Sequence, residues 1–140
     1  MLTRVLFAVA VMCGTAGAAR AEESKVLALG LADHEVTEAE LANGAAPPVP
    51  KFNTPAIAYV LAEHLKKGDV VEVTLSNTDK PLLANTETLV EDKATVLLQA
   101  GKRGVPAGGW PSEWNYFAAL KIMRDGKTLI EQTTDPIAFD

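Results

Sequence analysis

Histidine, cysteine, serine and paired carboxylates are the residues with which a chain of this kind could do chemistry, and here they are few. His34 and His64 are the only histidines. His34 lies among Asp33, Glu35 and Glu38, a setting in which a weak divalent-cation site could form. A metal centre needs three or four convergent ligands, and a solvated acidic loop holding one histidine is the plainer reading. His64, between Glu63 and Leu65, reads as a strand-end or surface residue. No serine stands in a Gly-x-Ser-x-Gly context, so the strained elbow that presents a nucleophile is missing. Glu91-Asp92 falls in a turn-like polar segment, where nothing provides the burial a general acid needs. The glycines of 101–109 lack the spacing and the following helix of a phosphate-binding loop. The residues point away from an enzyme, and towards no cofactor and no catalytic residue.

Aromatic and basic residues leave a different possibility. Trp110, Trp114 and Tyr116 could stack on a sugar, but aromatic residues also dominate sandwich cores. Lys102-Arg103 is a basic pair in a loop, Gly101 to Gly109, that holds four glycines and a proline. Glycine is costly to order, and loops on a rigid scaffold commonly carry binding. Lys102, Arg103 and Trp110 are therefore the expected contact residues.

The N-terminus sets the expected compartment. Arg4 precedes a short apolar run, Val5 to Met12, and small residues lead to Ala19-Arg20-Ala21. This is the pattern of a signal peptide cleaved before Glu22, and the run is too short for a mature membrane span. Cys13, the only cysteine, would leave with it. Residues 1–21 contain Arg4 and Arg20 and no acid, so the 119 remaining residues carry 11 basic and 18 acidic side chains, a charge of −7. A chain that acidic has no electrostatic footprint for nucleic acid or anionic membrane. The expectation is a periplasmic or secreted single domain, residues 22–140, without disulfides.

The elements that must position these residues are mostly strands. Lys25 to Ala32 alternates, and so do Val71, Val73 and Leu75. Leu82 to Ala84 and Lys93 to Ala100 read as further strands. Asp33 to Asn43 suits a short helical turn. The segment 55–67 is open: Thr54-Pro55 and the spacing of Ile57, Val60, Leu61 and Leu65 fit a helix. Its β-branched and aromatic content, with apolar residues of both parities, fits a strand buried on both faces. The surrounding strands tip it towards the latter. From Trp114 through Tyr116, Ala118, Leu120 and Ile122, bulky residues recur at period two and predict one core face, with Trp110 outside it in the loop. Asp125-Gly126 predicts a hairpin turn. A strict two-residue turn would pair Leu120 with Glu131, so either a bulge shifts the register or that face emerges into solvent. About seven short strands between turn signals make an all-β, antiparallel sandwich.

Lys66 to Val73, Leu82 to Ala84, Gly109 to Pro111, Trp114 to Tyr116 and Arg124 to Lys127 follow one another in an order that resembles bacterial exported immunoglobulin-like domains. Similar domains occur as accessory modules beside M23-type peptidoglycan endopeptidases. The resemblance covers residues 55 to 139 and implies a single immunoglobulin-like β-sandwich. It also implies a non-catalytic binding or accessory role towards an envelope protein or peptidoglycan-associated partner. The His-x3-Asp and His-x-His pattern of those enzymes is absent. The competing expectation is a small-ligand or divalent-metal-binding protein using the acidic Asp33 to Glu40 loop.

Overall fold

The computed structural model describes residues 23–44, 46–78, 80–102, 104–111 and 113–140. The expected signal peptide and Arg103 lie outside them. Eight strands and one short helix make up the described fold: β1 (Lys25–Ala32), α1 (Glu38–Ala42), β2 (Ala56–Leu65), β3 (Val70–Asn77), β4 (Pro81–Thr88), β5 (Lys93–Lys102), β6 (Asn115–Arg124), β7 (Lys127–Thr133) and β8 (Ile137–Ala138). They form two antiparallel sheets, one in the order β1-β2-β5 and one in the order β4-β3-β6-β7, with β8 paired to the start of β6. The chain crosses between sheets after β2, after β4 and again after β5, the Greek-key interlock of an immunoglobulin-like sandwich. Among the described residues no helix is long and apolar enough to cross a membrane.

Within segment 55–67, Ala56–Leu65 forms strand β2, and its burial explains why its sequence is ambiguous. Ala56, Ala58, Val60 and Ala62 face the main core between the sheets, while Tyr59 and Leu61 lie in a second cluster with Ala32, Val36 and Leu41. A strand buried on both faces has no polar parity, so its apolar residues also satisfy a helical spacing. The second cluster exists because the segment after β1 folds back over the smaller sheet. Thr37 caps α1 by accepting from the Glu40 amide, and Leu41 is the residue that α1 buries. Val36 and Gln99 hold this cover to β5 through paired bonds of 2.7 and 3.0 Å.

The β6–β7 hairpin turns at Asp125 and Gly126, both at positive φ (54° and 76°) as a primed turn requires. The conflict over Glu131 is relieved by a bulge. Arg124 pairs with Lys127 and Met123 with Thr128, but Ile122 then pairs with Ile130. Leu129 is the extra residue and stays exposed, while Ile130 packs against the core. Glu131 thereby opposes Lys121 on the outer face.

The two tryptophans exchange the places the sequence suggested. The alternation predicts Trp114 on the core face of its strand, but β6 begins only at Asn115, and the alternation from Tyr116 cannot be extended back through the preceding turn. Trp114 is 38% exposed and Trp110 only 7%. The loop folds inward because the Trp110 amide donates to the Phe52 carbonyl (2.8 Å) and its indole Nε1 donates to the Thr54 carbonyl (2.9 Å). The buried ring meets Tyr116 and Phe139 edge-on at 5.9 and 6.0 Å, and Tyr116 stacks on Phe139 at 4.0 Å. The Tyr116 hydroxyl donates to the Pro111 carbonyl at 3.0 Å. A tyrosine at the start of this strand, tied to the backbone just upstream, is the tyrosine corner of immunoglobulin-like folds.

Candidate functional site

Between β4 and the β5–β6 loop lies a groove of about 380 Å³, walled by Leu82, Leu83, Pro106, Ala107, Pro111 and Trp114 over the Trp110 ring. Consecutive residues of a regular strand point to opposite faces, so both leucines would not ordinarily line one groove. A bulge brings them there. Leu75 pairs with Leu83 but Ser76 pairs with Pro81, which leaves Leu82 as an extra residue on β4. Both leucines pack against the main core from its edge. Re-aiming a side chain is a common use of a bulge beside a functional site. In the sequence, Leu82 to Ala84 reads as an ordinary return strand; the bulge depends on Ser76 meeting Pro81, which local pattern does not disclose.

The loop side of the groove is fixed by its backbone. Gly109 donates to the Pro106 carbonyl at 2.8 Å. It holds φ +85°, and a Cβ there would meet the Phe52 carbonyl oxygen at 2.7 Å and the Phe52 ring at 2.8 Å. Gly109→Ala combines backbone strain with a backbone collision, and should destabilise the fold by about 1–3 kcal/mol. Urea melts would check this, and a loss below a few tenths of a kcal/mol would mean that the loop relaxes freely. Gly101 is likewise a packing glycine. It belongs to β5, opposite Ile57, and a Cβ on it would collide with the Ala56 carbonyl oxygen and with Ile57. Two of the four glycines that suggested a functional loop therefore have structural reasons.

Of the expected contact residues, Lys102 closes β5 opposite Ala56, Arg103 is outside the described residues, and Trp110 floors the groove. Its engaged indole N–H and the engaged Tyr116 hydroxyl make this an apolar surface rather than a sugar platform with free donors. Trp114, at the rim, is exposed.

The other candidates sit in local ion pairs and turns. His34 donates from one ring nitrogen and meets a second carboxylate with the other: Nδ1 lies 2.7 Å from Asp33 Oδ1 and Nε2 lies 2.7 Å from Glu40 Oε2. Hydrogen bonds accepted from the ring by Asp33 and then Glu40 raise its pKa above the ordinary histidine value, against a smaller opposing effect of burial. Among the described residues, no group of three or more His, Cys, Asp or Glu is placed to hold a metal ion. His64, the last residue but one of β2, holds φ +59°. Asp92 accepts from the Lys67 amide and Glu91 pairs with Lys93 at the surface, so this carboxylate pair serves a turn. Compared with known proteins, the sequence matches no family model and no curated protein.

Proposed function

We propose that this chain is a non-catalytic binding module of the cell envelope, acting through protein–protein contact, and that its groove takes an extended apolar segment of the partner. The observation that carries the reading is the β4 bulge, which aims two successive leucines into a groove floored by Trp110 and rimmed by Trp114. Among the described residues β4 is also a sheet edge, its backbone laddered to β3, with Asn85 Nδ2 donating to the Gln99 carbonyl of β5 further along. A partner strand can add to such an edge by main-chain hydrogen bonds while its alternate side chains fill the neighbouring pocket. The engaged donors in the groove favour apolar side chains over hydroxyl-rich ligands. The likeness of residues 55 to 139 to accessory domains beside M23-type endopeptidases directs the search to envelope proteins.

Selection of a displayed random-peptide library on the folded domain tests this, followed by titration of the selected peptides. Apolar residues should be enriched at alternate positions. Trp114→Ala should weaken binding by tenfold or more, about 1.4 kcal/mol or above, while Lys121→Ala, on the outer sheet face, should leave it unchanged. Failure to enrich any peptide, or selected peptides that bind the Trp114→Ala variant as tightly as the wild type, would overturn the proposal.

A further inference from the structure

The acidic segment after β1, which the groove does not use, carries a device of its own. It closes over the outer face of the smaller sheet, burying Val36 and Leu41 against Tyr59 and Leu61. His34 stands near its start, between Asp33, the residue just after β1, and Glu40 in α1. An ionised carboxylate only accepts hydrogen bonds, and a neutral imidazole has one N–H to donate. Two carboxylates at 2.7 Å, one on each ring nitrogen, are both satisfied only by the imidazolium. Loss of the proton sets a ring lone pair against one carboxylate and leaves Asp33 and Glu40 to repel each other.

We propose that the 33–44 segment is a proton-responsive cover, clasped shut over Tyr59 and Leu61 by protonated His34 and loosened when His34 loses its proton. The groups packed around the clasp agree with this assignment. On the segment itself, Glu38 accepts from Thr95 of β5 at 2.9 Å, and Glu35 adds a further acid. From β2, the Tyr59 phenol is held neutral, first by burial and then by the charge of Glu40. From β5, Gln99 is uncharged and ties the Val36 backbone. Among the described residues named here, His34 is the one that can carry a positive charge, set against acids and neutral donors. The sign follows from its raised pKa. The clasp is complete below the ordinary histidine range and is lost as pH rises through the higher value of the folded state.

Hydrogen exchange across the range from about pH 5 to pH 9, where histidine titrates, tests the device on the whole folded domain. The amides of Asp33, Val36 and Leu41 bond to Pro48, Gln99 and Thr37 and report the cover. After correction for intrinsic exchange, their protection should fall several-fold as pH rises, while that of Val71 and Val73 in β3 stays constant. His34→Gln should show the lower protection at every pH. His34→Arg, which keeps a permanent cation, should hold the cover closed throughout. NMR titration of His34 gives the midpoint, which should coincide with the change in protection. Protection that is independent of pH in the wild type, or equally pH-dependent in His34→Gln, would overturn the proposal.

Discussion

Trp110→Ala should lower the stability of the domain by about 3–5 kcal/mol, the usual cost of emptying a buried aromatic site. The ring is 7% exposed and belongs to the main core. Its removal opens a cavity beside Tyr116 and Phe139, forfeits two edge-on aromatic contacts, and leaves the Thr54 carbonyl without its indole donor. Neighbouring side chains cannot easily collapse into that space, because Tyr116 is held by its bond to Pro111 and Phe139 follows the paired strand β8. Trp114→Ala should cost only about 1 kcal/mol, near the value of one aromatic contact, since this ring is 38% exposed and touches Tyr116 at a tilt. Denaturant melts followed by far-ultraviolet circular dichroism separate the two without relying on tryptophan emission. Equal losses would mean that the loop does not insert Trp110 as described. The contrast matters for function, because it makes Trp114 the tryptophan that can be removed to test binding while the fold survives.

The reversal of the two tryptophans shows where sequence pattern carries information and where it stops. Alternation is a property of pleated backbone, so it identified Tyr116, Ala118, Leu120 and Ile122 as one buried face. It said nothing valid about Trp114, one residue before the pleat begins. Trp110 is buried by hydrogen bonds to Phe52 and Thr54, more than fifty residues upstream, and no local signal encodes such a contact. The same limit applies to the groove. Its loop was visible from four glycines, but its other wall depends on a bulge created by Ser76 opposing Pro81. The Asp125-Gly126 turn was legible because turn chemistry is local, and its apparent misfit with Glu131 correctly required either a bulge or an emerging face. The short β8 has no signal in the sequence pattern. Two residues pairing with the start of β6 have no periodicity of their own, yet they deliver Phe139 to the core.

At the opposite end of the sandwich, Arg124→Ala should destabilise the protein by about 3–5 kcal/mol at neutral pH, because it strands a buried carboxylate. Asp69 is 1% exposed. The Arg124 guanidinium binds both of its oxygens, Nε to Oδ1 at 2.9 Å and Nη2 to Oδ2 at 2.8 Å, and the Lys66 amide adds a third bond at 2.9 Å. Nη2 also reaches Ser24 Oγ, which ties the chain before β1 to the end of β6. Fork-to-carboxylate bonding of this kind is the strong form of an ion pair. The Arg124 hydrogen bonds hold the Asp69 carboxyl below its ordinary value, outweighing the opposing effect of burial. A depressed carboxylate contributes stability that is present above the unfolded-state pKa, near 3.9 for aspartate, and is lost as pH falls through the folded value. Removing Arg124 takes away the largest of the effects that favour the charged carboxyl, and leaves burial opposed by the Lys66 amide and the Lys66 charge alone. The gap between wild type and Arg124→Ala should therefore narrow in melts at about pH 3, below the unfolded-state value. Asp69→Asn should cost less at neutral pH, about 1–3 kcal/mol, because Arg124 is 27% exposed and can be hydrated in part. An Arg124→Ala deficit that is the same at both pH values would show that the residue acts through packing of its stem, and that the buried charge is held by other means.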